Sequence, residues 1–317
     1  MPSDVVLVTT RSFGTGDADP AARLRDAGLE VVRGDPGHDP LKLSAPLADA
    51  VGWIAGTGPI GPAQLERARR LRVIARFGTG TDAVDVEEAE RRGIVVARTP
   101  GANAAAVADH AVALMLAALR QLVAGDRAVR GGDWSLPTRG RELGALTVGI
   151  VGLGAVGRGV AERVRGGFGS RVLAYDPYVD ETGDAELTDL DALVAASDIV
   201  TLHLPGGAPL VDAELLSRFK PGAVLVNTAR GSLLDEAAVA RALAAGRLGA
   251  AAVDVLAAEP AASSPLLAAP NVIVTPHVAA QTVEAVDRMG VESAAEVLRV
   301  LAGEAPANPV HVQETSR

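Results

Sequence analysis

Short apolar runs alternate with helical stretches along this whole sequence, and that alternation leaves it few folds. Before residue 100, DVVLVTT, LEVVRG, VGWIAG, LRVIARFG and GIVVART read as five strands. Stretches such as PAARLRDAG and PAQLERARR separate them with helical spacing. This is the pattern of parallel strands, each returned to the same direction by a helix. It resumes after residue 145 with LTVGIVG, RVLAYD, DIVTLHL, AVLVNTA, GAAAVDV and NVIVTPH. These runs are almost continuously apolar, as expected of strands covered on both faces. The fold class is therefore α/β, with two parallel-sheet domains.

Two longer helical patterns flank the second set. One spans about 103–122, and the other runs from Thr282, a possible N-cap, to about Leu301. The second is expected to carry the chain back to the first domain. At 317 residues the chain exceeds what one core usually serves. Hydrophobic residues make up 48% but aromatics only 3%, so Ala, Val and Leu must build the cores, which suits close packing of helix on sheet. GTGPIGP, residues 56–62, reads as a turn and a helix start, and Trp134 is expected to pack the segment leading into the second domain.

Several classes of function are disfavoured. A formal charge of −9 argues against a nucleic-acid partner. No cysteine is present, which removes disulfides and thiolate metal sites, and no metal is expected. The start, MPSDVVLVTT, has neither the basic region nor the long apolar run of a secretory signal. The most apolar helical run, Ala104 to Leu122, is interrupted by Asp109, His110 and Arg120, so it reads as a buried helix and not a membrane span. A cytoplasmic protein without a membrane partner is the expectation.

VGIVGLGAVGRGVAERV places Gly152, Gly154 and Gly157 in G-x-G-x-x-G spacing between a strand and a helix. The spacing alone is a weak signal; the strand–turn–helix context is what gives it meaning. Gly152 permits a tight turn, Gly154 lets a pyrophosphate approach the backbone, and Gly157 lets the helix pack on the strand. The phosphates would meet free N–H groups at the helix N-terminus. The next strand ends at Asp176, 19 residues after Gly157. A carboxylate there accepts ribose hydroxyls and repels a 2′-phosphate, which favours NAD over NADP.

Four further polar groups follow strands: Arg230 in VNTARG, Asp254 and Glu259 in AAVDVLAAEP, and His277 in VIVTPHVAAQT. In an open parallel sheet the carboxyl ends of the strands line the ligand crevice. An arginine beside a buried strand is costly without an anion. Together these groups suggest a chemistry. His277 exchanges a proton with the substrate oxygen while a nicotinamide exchanges hydride with its carbon. Glu259 holds the other N–H of the imidazole and raises its pKa. Arg230 grips a carboxylate and polarises the adjacent carbonyl. Asp254 accepts a hydrogen bond from the nicotinamide carboxamide. The reaction would join a small anionic 2-oxo acid and NADH to the 2-hydroxy acid and NAD.

The pattern resembles the D-isomer-specific 2-hydroxyacid dehydrogenases, in their phosphoglycerate-dehydrogenase-like branch. The matching stretches are RFGTGTDAVD, TPGANAAAVADHAVALML, GIVGLGAVGR, AYDPY, KPGAVLVNTARGSLLDE, AAAVDVLAAEP and NVIVTPH. They follow the family's order and cover nearly the whole chain. The resemblance implies a flavodoxin-like substrate domain at 1–100 plus 283–317, with a central Rossmann NAD-binding domain inserted at 101–282. It implies Arg230, Glu259 and His277 as the catalytic three, with Asp254 at the nicotinamide. Ala155 and Val156 would meet the pyrophosphate. Leu204, Thr228, Ala229 and Ala280 would line the cofactor. Gly78, Thr79 and Gly80 would face the substrate from the other domain. It also implies a homodimer built through the region of the 103–122 helix, and closure of the cleft on binding.

The chain departs from the pattern in two places. The loop after Pro205 is shortened. Ala55 stands where animal phosphoglycerate dehydrogenases carry a phosphate-binding arginine, leaving Arg76 as a candidate contact for a second anion. The acid itself is left open: phosphoglycerate, glyoxylate or hydroxypyruvate, or a phosphonate analogue. Two other readings share the same residues, an NADH-sensing corepressor-type scaffold and a phosphite-type oxyanion dehydrogenase.

Overall fold

A computed structural model of the protein describes residues 4–135 and 139–312. The chain divides into two compact units, Met1–Asn103 with Ala280–Arg317, and Ala104–Ala279.

In the first unit β1 (Val5–Val8), β2 (Glu30–Arg33), β3 (Ala50–Ala55), β4 (Val73–Arg76) and β5 (Val95–Ala97) form one parallel sheet in the order β2-β1-β3-β4-β5. That is the doubly wound order of flavodoxin-like sheets. β1, β3 and β4 are buried throughout, which is why their sequences are unbroken apolar runs. The connecting helices are α1 (Pro20–Asp26), α2 (Ser44–Asp49), α3 (Pro62–Leu65) and α4 (Val86–Arg91). Asp19 and Asp85 start α1 and α4 by accepting the amides of Ala22 and Glu88, caps worth about 1 kcal/mol each.

The second unit begins with α5 (Ala104–Leu119) and α6 (Leu122–Arg130). The helix expected over 103–122 is α5, which ends at Leu119; Gln121 takes a left-handed conformation at φ 50° and caps the start of a second helix, α6, that was not expected. No residue of α6 is buried, and Trp134 beyond it is 82% exposed. The expectation that Trp134 packs this segment is corrected: residues 120–135 bury nothing for an indole to pack against.

The sheet strands are β6 (Thr147–Val151), β7 (Arg171–Tyr175), β8 (Glu186–Leu187), β9 (Ile199–Leu202), β10 (Ala223–Asn227), β11 (Leu248–Val253) and β12 (Val272–Val274). Between them run α7 (Ala155–Phe168), α8 (Leu190–Ala196), α9 (Ala213–Arg218) and α10 (Glu236–Ala244). All strands are parallel, in the order β12-β11-β10-β9-β6-β7-β8. β8 has two exposed residues and no apolar run, so sequence patterning gave no sign of it. The strand order reverses between β6 and β9, and a Rossmann sheet binds its ligand outside the carboxyl ends of the strands at that switch point. Helix α5 lies against the sheet, burying Ala108, Ala111 and Met115 in one cluster with Ile150, Val226 and Ala252. Small residues also bring α5 close to α7: a Cβ on Gly159 of α7 would stand 3.2 Å from the Cβ of Ala108.

The chain returns to the first unit through α11 (Val283–Leu301), whose N-cap is Thr282, accepting from the Ala285 amide. Its buried face packs on β3 and β4. Among the described residues no single helix is long and apolar enough to cross a membrane.

Candidate active site

The loop after β6 is built on glycines that do different work. Gly152 sits at φ 95°, and a Cβ there would lie 2.6 Å from the carbonyl oxygen of His203. A Cβ on Gly157 would lie 2.0 Å from the Gly152 carbonyl oxygen, so helix α7 can meet its strand only with glycine there. Gly154, the N-cap of α7, has no side-chain cap, and a Cβ on it would meet no atom within 4 Å. Packing does not demand that glycine. An open, uncapped helix start with Ala155 and Val156 in its first turn fits the approach of a pyrophosphate.

Asp176 ends the next strand and accepts the Leu153 amide at 2.8 Å and the Tyr178 amide at 3.0 Å. Its carboxylate is thereby tied to the glycine loop, and each oxygen keeps a lone pair for a ribose hydroxyl. Leu204 reaches to 2.9 Å of the position a Gly152 Cβ would take. Thr228 and Ala229 are buried after β10, and the Thr228 hydroxyl has no partner among the described residues. An orphaned hydroxyl at a strand end is where a ligand group is wanted. His203, half-buried after β9, is held neutral, its pKa pushed down to about 3 by desolvation. These residues fit a dinucleotide.

At the end of β10 the buried side chain of Asn227 makes the turn. Its Oδ1 accepts the Ala229 amide at 3.0 Å and its Nδ2 donates to the Arg230 carbonyl at 2.8 Å. Arg230 follows, its Nη1 donating to the Ala229 carbonyl at 2.7 Å. A Cβ on Gly231 would stand 2.0 Å from the carbonyl carbon of Leu256. The strand tip bearing Arg230 therefore touches the backbone of the loop that ends in Glu259, and a glycine is required at the contact.

His277 lies beyond β12, and its Nδ1 is 2.7 Å from Glu259 Oε2. Glu259 Oε1 accepts the Leu256 amide at 3.0 Å, which fixes the carboxylate. The hydrogen bond to Glu259 raises the His277 pKa against the opposing effect of burial, helped by the charges of Glu259 and Asp254 and resisted by that of Arg230. Burial pushes Glu259 up, but its bonds to His277 and Leu256 hold it below the usual carboxylate range. The side chains remain 44% and 39% exposed, so both can be reached from solvent.

Asp254 holds the segment that carries His277. Its Oδ1 accepts the Thr275 hydroxyl at 2.6 Å and the Val278 amide at 2.9 Å, and its Oδ2 accepts the Ala279 amide at 2.8 Å. Its main-chain oxygen accepts the His277 amide at 3.0 Å. Burial raises its pKa, but these donors, with His110, win and keep it ionised below the usual range. His277 is held at φ 54°, a left-handed conformation that costs a non-glycine residue about 1–3 kcal/mol. Sequence reading found Arg230, Asp254, Glu259 and His277, and all four lie in the second unit. Asn227, whose part is a local turn, was not singled out, nor were Gly231, Thr275 and His110, whose parts rest on contacts between elements distant in the chain.

The remaining candidates belong to the first unit. Arg76 is 5% exposed; its Nε donates to the Gly80 carbonyl at 2.9 Å and its Nη1 to the Ala55 carbonyl at 2.6 Å. Gly78, at φ 137°, donates its amide to Thr99 Oγ1, and the Thr79 hydroxyl donates to the Thr99 carbonyl. Ala280 opens the returning segment of this unit. Among the described residues no cluster of His, Asp or Glu could hold a metal ion.

Residues 112–279 match the family model of the D-isomer specific 2-hydroxyacid dehydrogenase NAD binding domain. The chain belongs to that family. It is 43% identical over 285 residues to D-3-phosphoglycerate dehydrogenase of Mycobacterium tuberculosis, covering 87% of this chain and 54% of that one. It is 38% identical over 245 residues to hydroxypyruvate reductase of Thermotoga maritima, covering 75% of this chain and 80% of that one. The crystal structure of TT0316 protein from Thermus thermophilus superposes with a TM-score of 0.87 at 37% identity, covering 97% of this chain and 100% of that one. The chain spans about half the length of the phosphoglycerate dehydrogenases it matches. The resemblance read from motifs and the two-sheet α/β fold both stand, and for this family member the dinucleotide that the second unit fits is NAD.

Proposed function

We propose that this family member interconverts a small 2-hydroxy acid and its 2-oxo acid, as a D-isomer-specific, NAD-dependent dehydrogenase. The observation that carries the reading is the 2.7 Å bond between His277 Nδ1 and Glu259 Oε2, with the charge of Arg230 beside it. When bound, the cofactor would accept the hydride as NAD or supply it as NADH. Because Glu259 occupies Nδ1, Nε2 is the atom of His277 that exchanges a proton with the substrate oxygen. The raised pKa keeps that proton available near neutral pH. Arg230 provides a planar fork for the substrate carboxylate and polarises the carbonyl next to it. Asp176 selects an unphosphorylated ribose.

The names of the relatives point to phosphoglycerate and hydroxypyruvate chemistry. Glyoxylate and phosphonate analogues belong in the same test. NADH oxidation is measured with glyoxylate, hydroxypyruvate, pyruvate, 2-oxoglutarate, 3-phosphohydroxypyruvate and phosphono-oxo acids, and NAD reduction with D- and L-hydroxy acids and phosphite. Turnover of a 2-oxo acid, with the D-hydroxy acid as the reverse substrate, supports the proposal. Tight NADH binding with no turnover overturns it in favour of a scaffold, and turnover of phosphite alone in favour of an oxyanion dehydrogenase.

We infer a homodimer as well, supported by the exposed apolar side chains of Leu122, Val123, Val129 and Trp134. Light scattering on the purified chain checks it: a monomeric mass refutes it.

A further inference from the structure

His110 takes no part in the chemistry above, yet its ring is joined to it. It projects from α5, and its Nε2 lies 3.0 Å from Thr275 Oγ1 and 3.6 Å from Asp254 Oδ1. Thr275 Oγ1 in turn lies 2.6 Å from Asp254 Oδ1. An ionised carboxylate only accepts, so the single hydroxyl proton of Thr275 must point at Asp254. The threonine oxygen must then accept from the imidazole, which fixes the proton of His110 on Nε2. The chain of donors runs one way, from His110 to Thr275 to Asp254.

Asp254 is where this chain meets His277. Its carboxylate holds the amides of Val278 and Ala279, and its carbonyl holds that of His277. Its side chain is 1% exposed, so solvent cannot replace a lost donor. The segment it grips carries His277 in a left-handed conformation that the surroundings must enforce.

We propose that His110 is a positioning residue for His277: through the Thr275 hydroxyl it orients the Asp254 carboxylate, which holds the 275–279 backbone. This rests on the dehydrogenase reading only for its effect on turnover, since the hydrogen-bond chain exists without substrate.

The test uses the full chain. In the wild-type protein, long-range proton–nitrogen correlation spectra of its five histidines report which ring nitrogen of neutral His110 carries the proton. Nε2 is expected, and an Nδ1 proton overturns the proposal. Next, His110→Leu removes the donor and His110→Gln returns an N–H near the same place. Thr275→Val and Thr275→Ser repeat the comparison from the strand side, should His110→Leu fail to fold. The removing variants are expected to lower kcat about 10- to 100-fold, as small misplacements of a reacting group do, with the NADH dissociation constant unchanged. They are also expected to move the NMR titration midpoint of His277 down toward that of an ordinary histidine, because the Glu259 bond loosens. The Gln and Ser variants are expected to recover both. An unchanged midpoint, or a loss that Gln and Ser do not repair, overturns the proposal. If the wild-type protein turns over none of the acids, the dehydrogenase reading fails, and the spectra and the midpoint still decide the role of His110.

Discussion

His277 Nδ1 and Glu259 Oε2 stand 2.7 Å apart although 18 residues separate them in the chain. The bond occupies Nδ1, leaving Nε2 for the proposed proton exchange, and lifts the pKa of the ring. Replacing His277 with Ala is expected to lower kcat about 10²- to 10⁴-fold, the usual worth of a positioned acid–base group. Fluorescence titration should find NADH binding nearly intact. An unchanged rate would take His277 out of the mechanism.

Glu259→Gln removes the carboxylate charge and leaves only a neutral acceptor for the hydrogen bond that does most to raise the His277 pKa. In the proposed reaction, reduction of a 2-oxo acid needs protonated His277, so its rate is expected to be full below that pKa and to fall as pH rises through it. In the Gln variant the falling limb should move to lower pH, read from kcat against pH. The pair also contributes to stability over a defined window. The share of His277 is fully present below its unfolded value of 6.5 and is lost as pH rises through the raised folded one. The share of Glu259 is present above its unfolded value of 4.5 and is lost as pH falls through the depressed folded one. Thermal unfolding of Glu259→Gln against the wild type should therefore differ most between those limits.

Asp176 accepts from Leu153 and Tyr178, and each of its oxygens keeps a spare lone pair for the proposed ribose contact. Asp176→Ala is expected to weaken NAD about 10-fold or more, the cost of hydrogen bonds to a charged group. It should also narrow the preference for NAD over NADP, because the carboxylate no longer repels the 2′-phosphate. Comparing kcat/KM for the two cofactors checks this. A wild-type preference for NADP would refute the role given to the carboxylate.

Gly231→Ala would drive a methyl group to 2.0 Å from the Leu256 carbonyl carbon. Backbone cannot rotate aside as a side chain can, so the expected loss is about 3 kcal/mol, the upper end of what overpacking costs. Urea unfolding measures it. Turnover should fall too, since Arg230 and the loop to Glu259 are pushed apart. A variant with wild-type stability would mean that the two loops separate without cost.

Much of this protein is legible locally. The alternation of apolar runs with helical stretches fixes parallel strands, because each run must be buried on both faces. Gly152 and Gly157 carry their reason in their spacing, and Arg230, Asp254, Glu259 and His277 mark themselves by following strands. Helix α6 was not expected because none of its residues is buried, so it leaves no core-facing apolar stripe in the sequence. Trp134 escaped because nothing local says whether a large ring has a partner.

The parts played by Thr275, His110 and Gly231 were decided only in three dimensions. Sheet order sets β10, β11 and β12 side by side and lays α5 over them. Only then can Asp254 reach the amides of Val278 and Ala279, and His110 the hydroxyl of Thr275. Burial follows a period that neighbouring residues repeat, so a linear string records it. A hydrogen bond depends on the distance and direction between two groups, and those exist only once the strands have found their neighbours.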